Sequence, residues 1–164
     1  MKTSNTQPTA VAFYRVSTKD KQDMRRQYDS VKQYCKAYGM VIIKEFEEKI
    51  SGASKLEERQ ELLAMLEYVE KHKPDYVVCD ELSRLARTQD ALDIIKKFVS
   101  WDVVFVAKKE GIKTEKDANG SLDAFTEFTL SILNAINKFE LETIRYRVTT
   151  GINTAVEKGK HQGS

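Results

Sequence analysis

The sequence of 164 residues contains few residues that break, kink or cross-link a chain. It has only 2 Pro and 7 Gly, which excludes collagen-like and low-complexity chains, and 41% of its residues are hydrophobic, which excludes a wholly disordered one. No apolar run reaches the roughly 20 residues that a membrane-spanning helix needs, and residues 1–10 lack the apolar stretch of a signal peptide. We therefore expect one globular, intracellular domain.

Cysteine and histidine are equally scarce. Cys35 and Cys79 show no C-x-x-C spacing and have no histidine beside them, which argues against a zinc site and against a disulfide framework and predicts two buried thiols. The histidines, His72 and His161, lie in no motif, and the sequence contains no phosphate-binding loop of the type G-x-x-x-x-G-K-[ST]. We expect neither a metal nor a nucleotide cofactor.

The charge is nearly balanced, but its composition is uneven. Lys and Arg number 27 and Asp and Glu 25, for a net charge of +2, so the global charge does not indicate a nucleic-acid partner. The basic residues divide into 19 Lys and 8 Arg. Because a guanidinium offers a planar fork of donors that matches a phosphate or carboxylate, the positions of the arginines are the more informative.

Hydrophobic patterning predicts strands alternating with helices. We predict strands at 9–16, 40–46, 75–81 and 102–107, a first helix ending at Tyr38 before Gly39, further helices at about 58–71 and 91–100, a mobile loop at 47–57, and a short extra edge strand near Ile112 in the loop 108–120. This order predicts an α/β fold: a mostly parallel sheet of four or five strands with helices on both faces.

The last predicted element is unusually long. Residues 121–158 contain no strong breaker except Gly151, so one helix of 38 residues would extend about 57 Å. Apolar residues form a stripe at helical spacing along its first half, and a second stripe follows: Phe125, Phe128, Ile132, Ile136 and Phe139, then Leu141, Ile144, Val148, Ile152 and Ala155. We interpret it as a subunit-interface helix; two helices broken near Asn137 or Gly151 are the alternative.

We accordingly divide the chain into four parts. They are a flexible leader at 1–8, an α/β domain at 9–120, a long helix at 121–158, and a tail at 159–164.

Hydroxyl and arginine side chains follow the first three predicted strands. The segment Tyr14–Asp20 follows the first strand, Ser51-Gly52 and then Arg59 follow the second, and Ser83–Arg87 follows the third. Ligands of such sheets bind at the carboxyl ends of the strands. Four arginines would converge there and repel one another unless an anion offsets their charge, and a phosphodiester is the obvious candidate.

Each of these features also has a purely structural interpretation. Ser17 with Asp20 fits a helix-capping pattern, Arg84 and Arg87 at a spacing of three could form a solvated helix face, and Tyr14 could belong to the core. Taken one at a time, these interpretations are the simpler ones.

In combination, the segments resemble the catalytic domain of the serine recombinases, the family of resolvases, invertases and large serine integrases. The opening family motif, Y-x-R-V-S-T, is matched by Arg15 to Thr18 after Ala12-Phe13-Tyr14. Its further motifs follow in order over about residues 9–160: Gln22 and Gln27, Ser51-Gly52 with Arg59, Leu82–Arg87 as L-[DS]-R-L-x-R, and Phe139–Arg147 as F-E-x-x-x-I-x-x-R.

The resemblance implies roles for particular residues. Ser17 would attack a DNA phosphodiester and become a 5′-phosphoserine, while Arg15, Arg59, Arg84 and Arg87 would hold the phosphate. Supporting or DNA-contacting roles would fall to Gln22, Gln27, Ser51, Ser83, Arg145 and Arg147. The resemblance also implies double-stranded DNA as partner, a homodimer formed through the Phe125–Phe139 stripe, a tetramer in the synapse, no metal or ATP, and a cytoplasmic, nucleoid-associated location.

Two positions depart from the family pattern. Many members have Asp at the place of Ser83 and Glu at the place of Tyr146, so a carboxylate is missing from the expected site. The family also places a DNA-binding domain after the long helix. We therefore expect the 164 residues to be the catalytic part of a larger protein and to bind DNA weakly, with little sequence preference.

Two other function classes would leave different signals in the sequence. A phosphate-sensing or DNA-tethering module of the same fold would use Ser17 only as a helix cap. A tyrosine-type recombinase or a nickase would need an R…H-x-x-R…Y constellation or a histidine cluster, and the sequence has neither.

Overall fold

The computed structural model describes residues 6–17, 20–49, 58–86 and 88–159. Within them, strands and helices alternate as predicted, except that two helices rather than one connect the third strand to the fourth, and that the fifth strand follows the fourth directly. In chain order they are β1 (Thr9–Arg15), α1 (Lys21–Ala37), β2 (Val41–Glu48), α2 (Gln60–His72), β3 (Tyr76–Cys79), α3 (Leu82–Leu85), α4 (Thr88–Ser100), β4 (Val104–Ala107), β5 (Ile112–Lys113) and α5 (Ala124–Gly159).

The strands form one sheet in the order β2-β1-β3-β4-β5. The first four are parallel, and β5 pairs antiparallel with β4, which confirms the short edge strand predicted near Ile112. The chain passes from β1 outward to β2 and then returns across β1 to β3. The crossover direction therefore reverses between β1 and β3, the position at which sheets of this order form a crevice at their carboxyl edge.

Both faces of the sheet are covered, which makes three layers. On one face, α1 buries Val31 and Cys35 against small and aromatic side chains of β1. On the other face, α2, α3 and α4 enclose the larger core around Phe13 and Phe105, and the start of α5 adds Leu130. Cys35 and Cys79 are buried and free, as predicted.

The second strand is longer than its sequence indicates. The prediction ended β2 at residue 46 and assigned Glu47 and Glu48 to a mobile loop; that boundary is wrong, because both residues pair in register with Tyr14 and Arg15 of β1. Strand pairing overrides the weak strand preference of glutamate. Residues 50–57, the rest of that predicted loop, lie outside the described residues.

The last helix is continuous over 36 residues, which gives a length of about 54 Å. No break occurs at Asn137 or Gly151. Its stripe of large apolar side chains is exposed, with Phe125 at 78%, Phe128 at 63% and Phe139 at 69% of their surface accessible. Among the described residues, no helix has both the length and the apolar character needed to cross a bilayer.

Candidate active site

Ser17 lies at the crevice between β1 and β3. It follows the carboxyl end of β1 by two residues and its side chain is exposed. The short helix α3 begins three residues after β3 ends and brings Ser83 and Arg84 to the same edge of the sheet. The fold therefore places the predicted nucleophile and a predicted phosphate ligand at adjacent strand ends.

Ser17 does not cap the helix that follows it. The N-cap of α1 is Asp20, whose carboxylate accepts a hydrogen bond from the backbone N–H of Asp23 at 2.9 Å. The carbonyl of Ser17 accepts the N–H of Asp20 at 3.2 Å, so Ser17 belongs to the turn before the helix. The capping interpretation of the Ser17 hydroxyl is thus wrong.

Tyr14, whose hydroxyl was also considered from the sequence, is a core residue. Its ring is 1% exposed and packs edge-on against Tyr28 at 4.5 Å, and its hydroxyl donates to Glu45 at 3.0 Å. Burial, together with the negative charge of Glu45, raises the pKa of Tyr14 well above its ordinary value. Tyr14 is therefore a poor nucleophile at neutral pH.

Arg15 is buried at the end of β1 and its main chain is clamped. Gln27, itself fully buried, donates from Nε2 to the Arg15 carbonyl at 2.9 Å and accepts the Arg15 N–H on Oε1 at 3.4 Å. Arg84 Nη1 donates to the same carbonyl at 3.2 Å. Of the two predicted glutamines, Gln27 is thus a structural clamp below Ser17, whereas Gln22 is exposed.

Arg84 is largely enclosed and lies between two carboxylates. Its Nη2 donates to Asp23 Oδ1 at 3.0 Å, and its Nε lies 3.4 Å from Glu81 Oε1. Its side chain is 16% exposed. The protein therefore fixes the guanidinium and leaves only a small part of the side chain accessible.

Glu81 supplies a carboxylate near the position where many family members have Asp and this chain has Ser83. The Ser83 hydroxyl donates to Glu81 Oε1 at 2.7 Å, and Lys109 Nζ lies 3.1 Å from Glu81 Oε2. Burial raises the pKa of Glu81, but the hydrogen bonds from Ser83 and Lys109 outweigh this effect and lower the pKa below its ordinary value. A charged carboxylate therefore lies beside Arg84 although residue 83 is not acidic.

Arg59 is not an open phosphate ligand in this structure. Its side chain is 4% exposed and lies against Glu48, which is 2% exposed, with Nη2 at 2.6 Å and Nε at 2.8 Å from Glu48 Oε2. Its remaining donors bind the carbonyls of Leu85 and Arg84. Arg59 thus ties the end of β2 to α3.

Acids of the chain itself balance two of the positive charges at this edge. Glu48 neutralises Arg59, and Asp23 with Glu81 neutralises Arg84. Arg59 and Arg84 therefore do not require an external anion, contrary to the expectation from the sequence, because carboxylates of the chain stabilise their charges.

Other predicted site residues lie elsewhere or are not described. Arg145 and Arg147 are exposed on the second half of α5, and Ser51 and Arg87 lie outside the described residues. His72 stacks on Tyr68 at 4.2 Å at the end of α2, and α2 ends where β3 is about to begin. His72 therefore lies at the amino edge of the sheet, opposite the carboxyl edge where Ser17 lies.

Three acidic residues that contact Arg59 or Arg84 were not predicted from the sequence. Asp23 has a detectable signal, since it precedes Arg26 and Gln27 at helical spacings of three and four. Glu81 directly precedes the L-S-R segment. Glu48 gave no signal, because its partner Arg59 lies across a loop whose path the sequence does not define.

Comparison with known proteins identifies the family of this α/β domain. Residues 10–161 match the family model described as "Resolvase, N terminal domain", which is nearly the whole chain. The chain belongs to the resolvase family of serine recombinases.

Its similarity to resolvases extends to individual members. The chain is 29% identical over 157 residues to the transposon Tn1546 resolvase of Enterococcus faecium and 30% identical over 154 residues to the transposon Tn501 resolvase of Pseudomonas aeruginosa. Each match covers 93% of this chain and 73% of the relative. These identities confirm the resemblance seen in the motifs.

Solved structures of serine recombinases share the fold. The N-terminal catalytic domain of TP901-1 integrase is 32% identical with a TM-score of 0.59, covering 82% of this chain and 98% of that domain. The C-terminal catalytic domain of ISC1926 TnpA, an IS607-like serine recombinase, is 25% identical with a TM-score of 0.56, covering 92% of this chain and 96% of that domain. The predicted fold class, a mostly parallel sheet flanked by helices, is therefore confirmed.

Proposed function

We propose that the chain is the catalytic domain of a site-specific recombinase in which Ser17 is the nucleophile. The Ser17 Oγ attacks a DNA phosphorus, the Oγ–P bond forms as the P–O3′ bond breaks, and the 3′-oxygen takes up a proton as the serine hydroxyl loses one. The product is a 5′-phosphoserine, and the reverse reaction with another strand's 3′-hydroxyl rejoins the DNA. The exposure of Ser17 at the β1/β3 crevice, two residues after the Arg15 carbonyl that Arg84 binds, carries the proposal in a chain of this family.

Arginine replaces the histidine on which many serine nucleophiles depend. A serine hydroxyl is weakly nucleophilic at neutral pH and needs help from neighbouring groups. Guanidiniums aimed at the phosphate would stabilise the developing alkoxide and the extra negative charge of the pentavalent transition state. We assign this role to Arg15, Arg84 and Arg87, with Arg59 holding the α3 backbone beneath them.

The proposed reaction requires neither a metal nor ATP. Transesterification keeps the energy of the phosphodiester in the serine ester, so rejoining needs no external energy. The arginines would provide the electrophilic assistance to the phosphate. We propose double-stranded DNA as the substrate, with Gln22, Ser51, Arg145 and Arg147 as further DNA contacts or supports.

The effect of Arg84 on cleavage can be measured against Arg25, which is exposed on α1. The wild-type protein is first incubated at low salt with a library of random-sequence duplexes. A duplex that stays attached to the protein after denaturation is covalently bound; it is recovered, and we call it the trapped duplex. We expect Arg84→Ala to slow adduct formation on it by about 100- to 1000-fold, the usual cost of losing one transition-state donor. Arg25→Ala should change the rate by no more than about twofold.

Equal losses in the two variants would show that the arginines at this edge do not form a site. An alternative function, a phosphate-binding module without chemistry, would give DNA binding and no adduct with any variant. The structure weakens its premise, since Asp20 rather than Ser17 caps α1.

We further propose that the exposed stripe of α5, Phe125, Phe128, Ile132, Ile136 and Phe139, forms a homodimer interface, and that tetramers form the synapse. A contiguous exposed apolar surface of this kind marks a contact with another molecule. We propose that the chain beyond this stripe, with Arg145 and Arg147, contacts DNA. We propose with these roles the division into a leader at 1–8, a catalytic domain at 9–120, the helix at 121–158 and a tail at 159–164.

Self-association should depend on this stripe. Phe128→Glu places a charge within the stripe and should raise the dimer dissociation constant at least about tenfold, measured by sedimentation equilibrium. Tyr38→Glu is the matched control, because Tyr38 is 64% exposed at the end of α1, away from the stripe. A wild-type protein that stays monomeric at every concentration, or equal effects of the two substitutions, would contradict the interface.

A further inference from the structure

Asp23, in the first turn of α1, connects Arg84 and Gln27, which both bind the carbonyl at the end of β1. Its Oδ1 accepts a hydrogen bond from Arg84 Nη2 at 3.0 Å, and its Oδ2 accepts one from Gln27 Nε2 at 2.9 Å. Gln27 Nε2 also donates to the Arg15 carbonyl, to which Arg84 Nη1 donates as well. The four residues thus form a closed ring of hydrogen bonds that joins β1, α1 and α3.

The position and charge of Asp23 are themselves fixed. Its N–H is held by the Asp20 carboxylate, and a carboxylate in the first turn is favoured by the helix dipole. Arg26 Nη2 donates to its Oδ1 at 2.7 Å. Burial raises the pKa of Asp23, but the hydrogen bond from Arg26 and the charge of Arg84 outweigh it, and the pKa lies below its ordinary value. Asp23 is therefore a fixed anion at neutral pH.

Arg84 depends on a partner outside its own helix. The helix α3 has only four residues, too few to be stable without tertiary contacts. Glu81, the other acid beside Arg84, approaches Nε only to 3.4 Å, longer than a good charged hydrogen bond. Asp23 is closer, at 3.0 Å, and lies on a helix of 17 residues packed on the sheet. The more rigid element thus holds the guanidinium.

We propose that Asp23 is a positioning residue for the reaction: it fixes the Arg84 guanidinium against the carbonyl of Arg15, two residues before Ser17. The role rests on the proposed function and deepens it, since Asp23 acts on the phosphate only through Arg84. Because the guanidinium is planar and rigid, a charge-assisted hydrogen bond to one of its nitrogens also fixes the directions of its other N–H groups.

The substitution Asp23→Asn keeps the size of the side chain and removes its charge. With the trapped duplex at saturating concentration, we expect single-turnover adduct formation to slow about 10- to 100-fold, the value of one charged hydrogen bond. The DNA concentration for half-maximal rate should change by less than about twofold, since bulk phosphate contacts are untouched. Asp23→Glu should recover part of the rate. Asp29→Asn, the same substitution at an exposed position of α1, is the control.

A second measurement tests the contact without DNA. Modification of arginines by phenylglyoxal, mapped by mass spectrometry, should label Arg84 more slowly than the exposed Arg25 in the wild type. Asp23→Asn should accelerate labelling of Arg84 several-fold and leave Arg25 unchanged, and Asp29→Asn should alter neither.

The outcomes separate the two hypotheses. Wild-type or faster cleavage by Asp23→Asn, an equal loss in Asp29→Asn, or a loss that follows the free energy of unfolding and is not recovered by Asp23→Glu would overturn the positioning role. No adduct with the wild type, combined with faster Arg84 labelling in Asp23→Asn, would overturn the proposed function and leave Asp23 as a structural partner of Arg84.

Discussion

Ser17→Ala is expected to abolish the covalent protein–DNA adduct completely. The substitution removes the Oγ that forms the bond to phosphorus. Tyr14, near the end of β1, cannot replace it, because Tyr14 is buried and its hydroxyl donates to Glu45. Ser17 is exposed, so the free energy of unfolding should change by no more than about 0.5 kcal/mol. Denaturing gels of the trapped duplex measure the adduct, and a mobility shift at low salt measures binding.

The control for this substitution is Ser100→Ala. Ser100 ends α4, where the chain is about to enter β4, and its hydroxyl donates to the carbonyl of Lys97. It therefore lies at the amino edge of the sheet, opposite Ser17, and its loss should leave the adduct yield unchanged. An adduct that persists in Ser17→Ala at a yield comparable to the control would exclude Ser17 as the nucleophile.

Arg59→Ala is expected to reduce activity mainly by destabilising the fold. The substitution leaves the Glu48 carboxylate buried without its partner, and breaking such a pair costs about 3–5 kcal/mol. The carbonyls of Arg84 and Leu85 lose their donors at the same time. Urea unfolding followed by circular dichroism measures the loss. The matched control is Lys49→Ala, whose partner Glu47 lies 3.7 Å away on the surface and whose loss should cost less than about 1 kcal/mol.

A double variant isolates the buried charge as the cause. Glu48→Gln in the Arg59→Ala background replaces the unpaired carboxylate by a neutral amide, so it should recover part of the lost stability. If Arg59→Ala instead costs less than about 1 kcal/mol while cleavage falls about 100-fold, Arg59 acts directly on the phosphate and its pairing with Glu48 is incidental.

The fold was predictable from the sequence because its signals are local. Strand-like runs alternate with helix periodicity, and the parallel arrangement then forces the ends of β1 and β3, with Ser17 and Arg84, to one edge. The long α5 was equally visible in its unbroken helical pattern. The order of the elements, the shared edge and the long helix do not depend on which side chains are in contact.

The partners of the arginines were not predictable, because they depend on packing. Nothing in the sequence distinguishes Arg59, which is 4% exposed and paired with Glu48, from an arginine available to a ligand. The choice between Ser17 and Asp20 as the cap of α1 depended on where the turn begins. Glu47 and Glu48 resembled a loop because their strand character comes from pairing with β1.

The central claim, that Ser17 attacks the DNA, is tested most directly by the mass of the trapped adduct. Trypsin cuts after Arg15 and Lys19, so nuclease and trypsin digestion should leave a 5′-linked nucleotide phosphate on the peptide Val16–Lys19, and fragmentation should place it on Ser17 rather than on Thr18. Attachment to any other residue, or an adduct linked through a 3′-phosphate, would contradict the account.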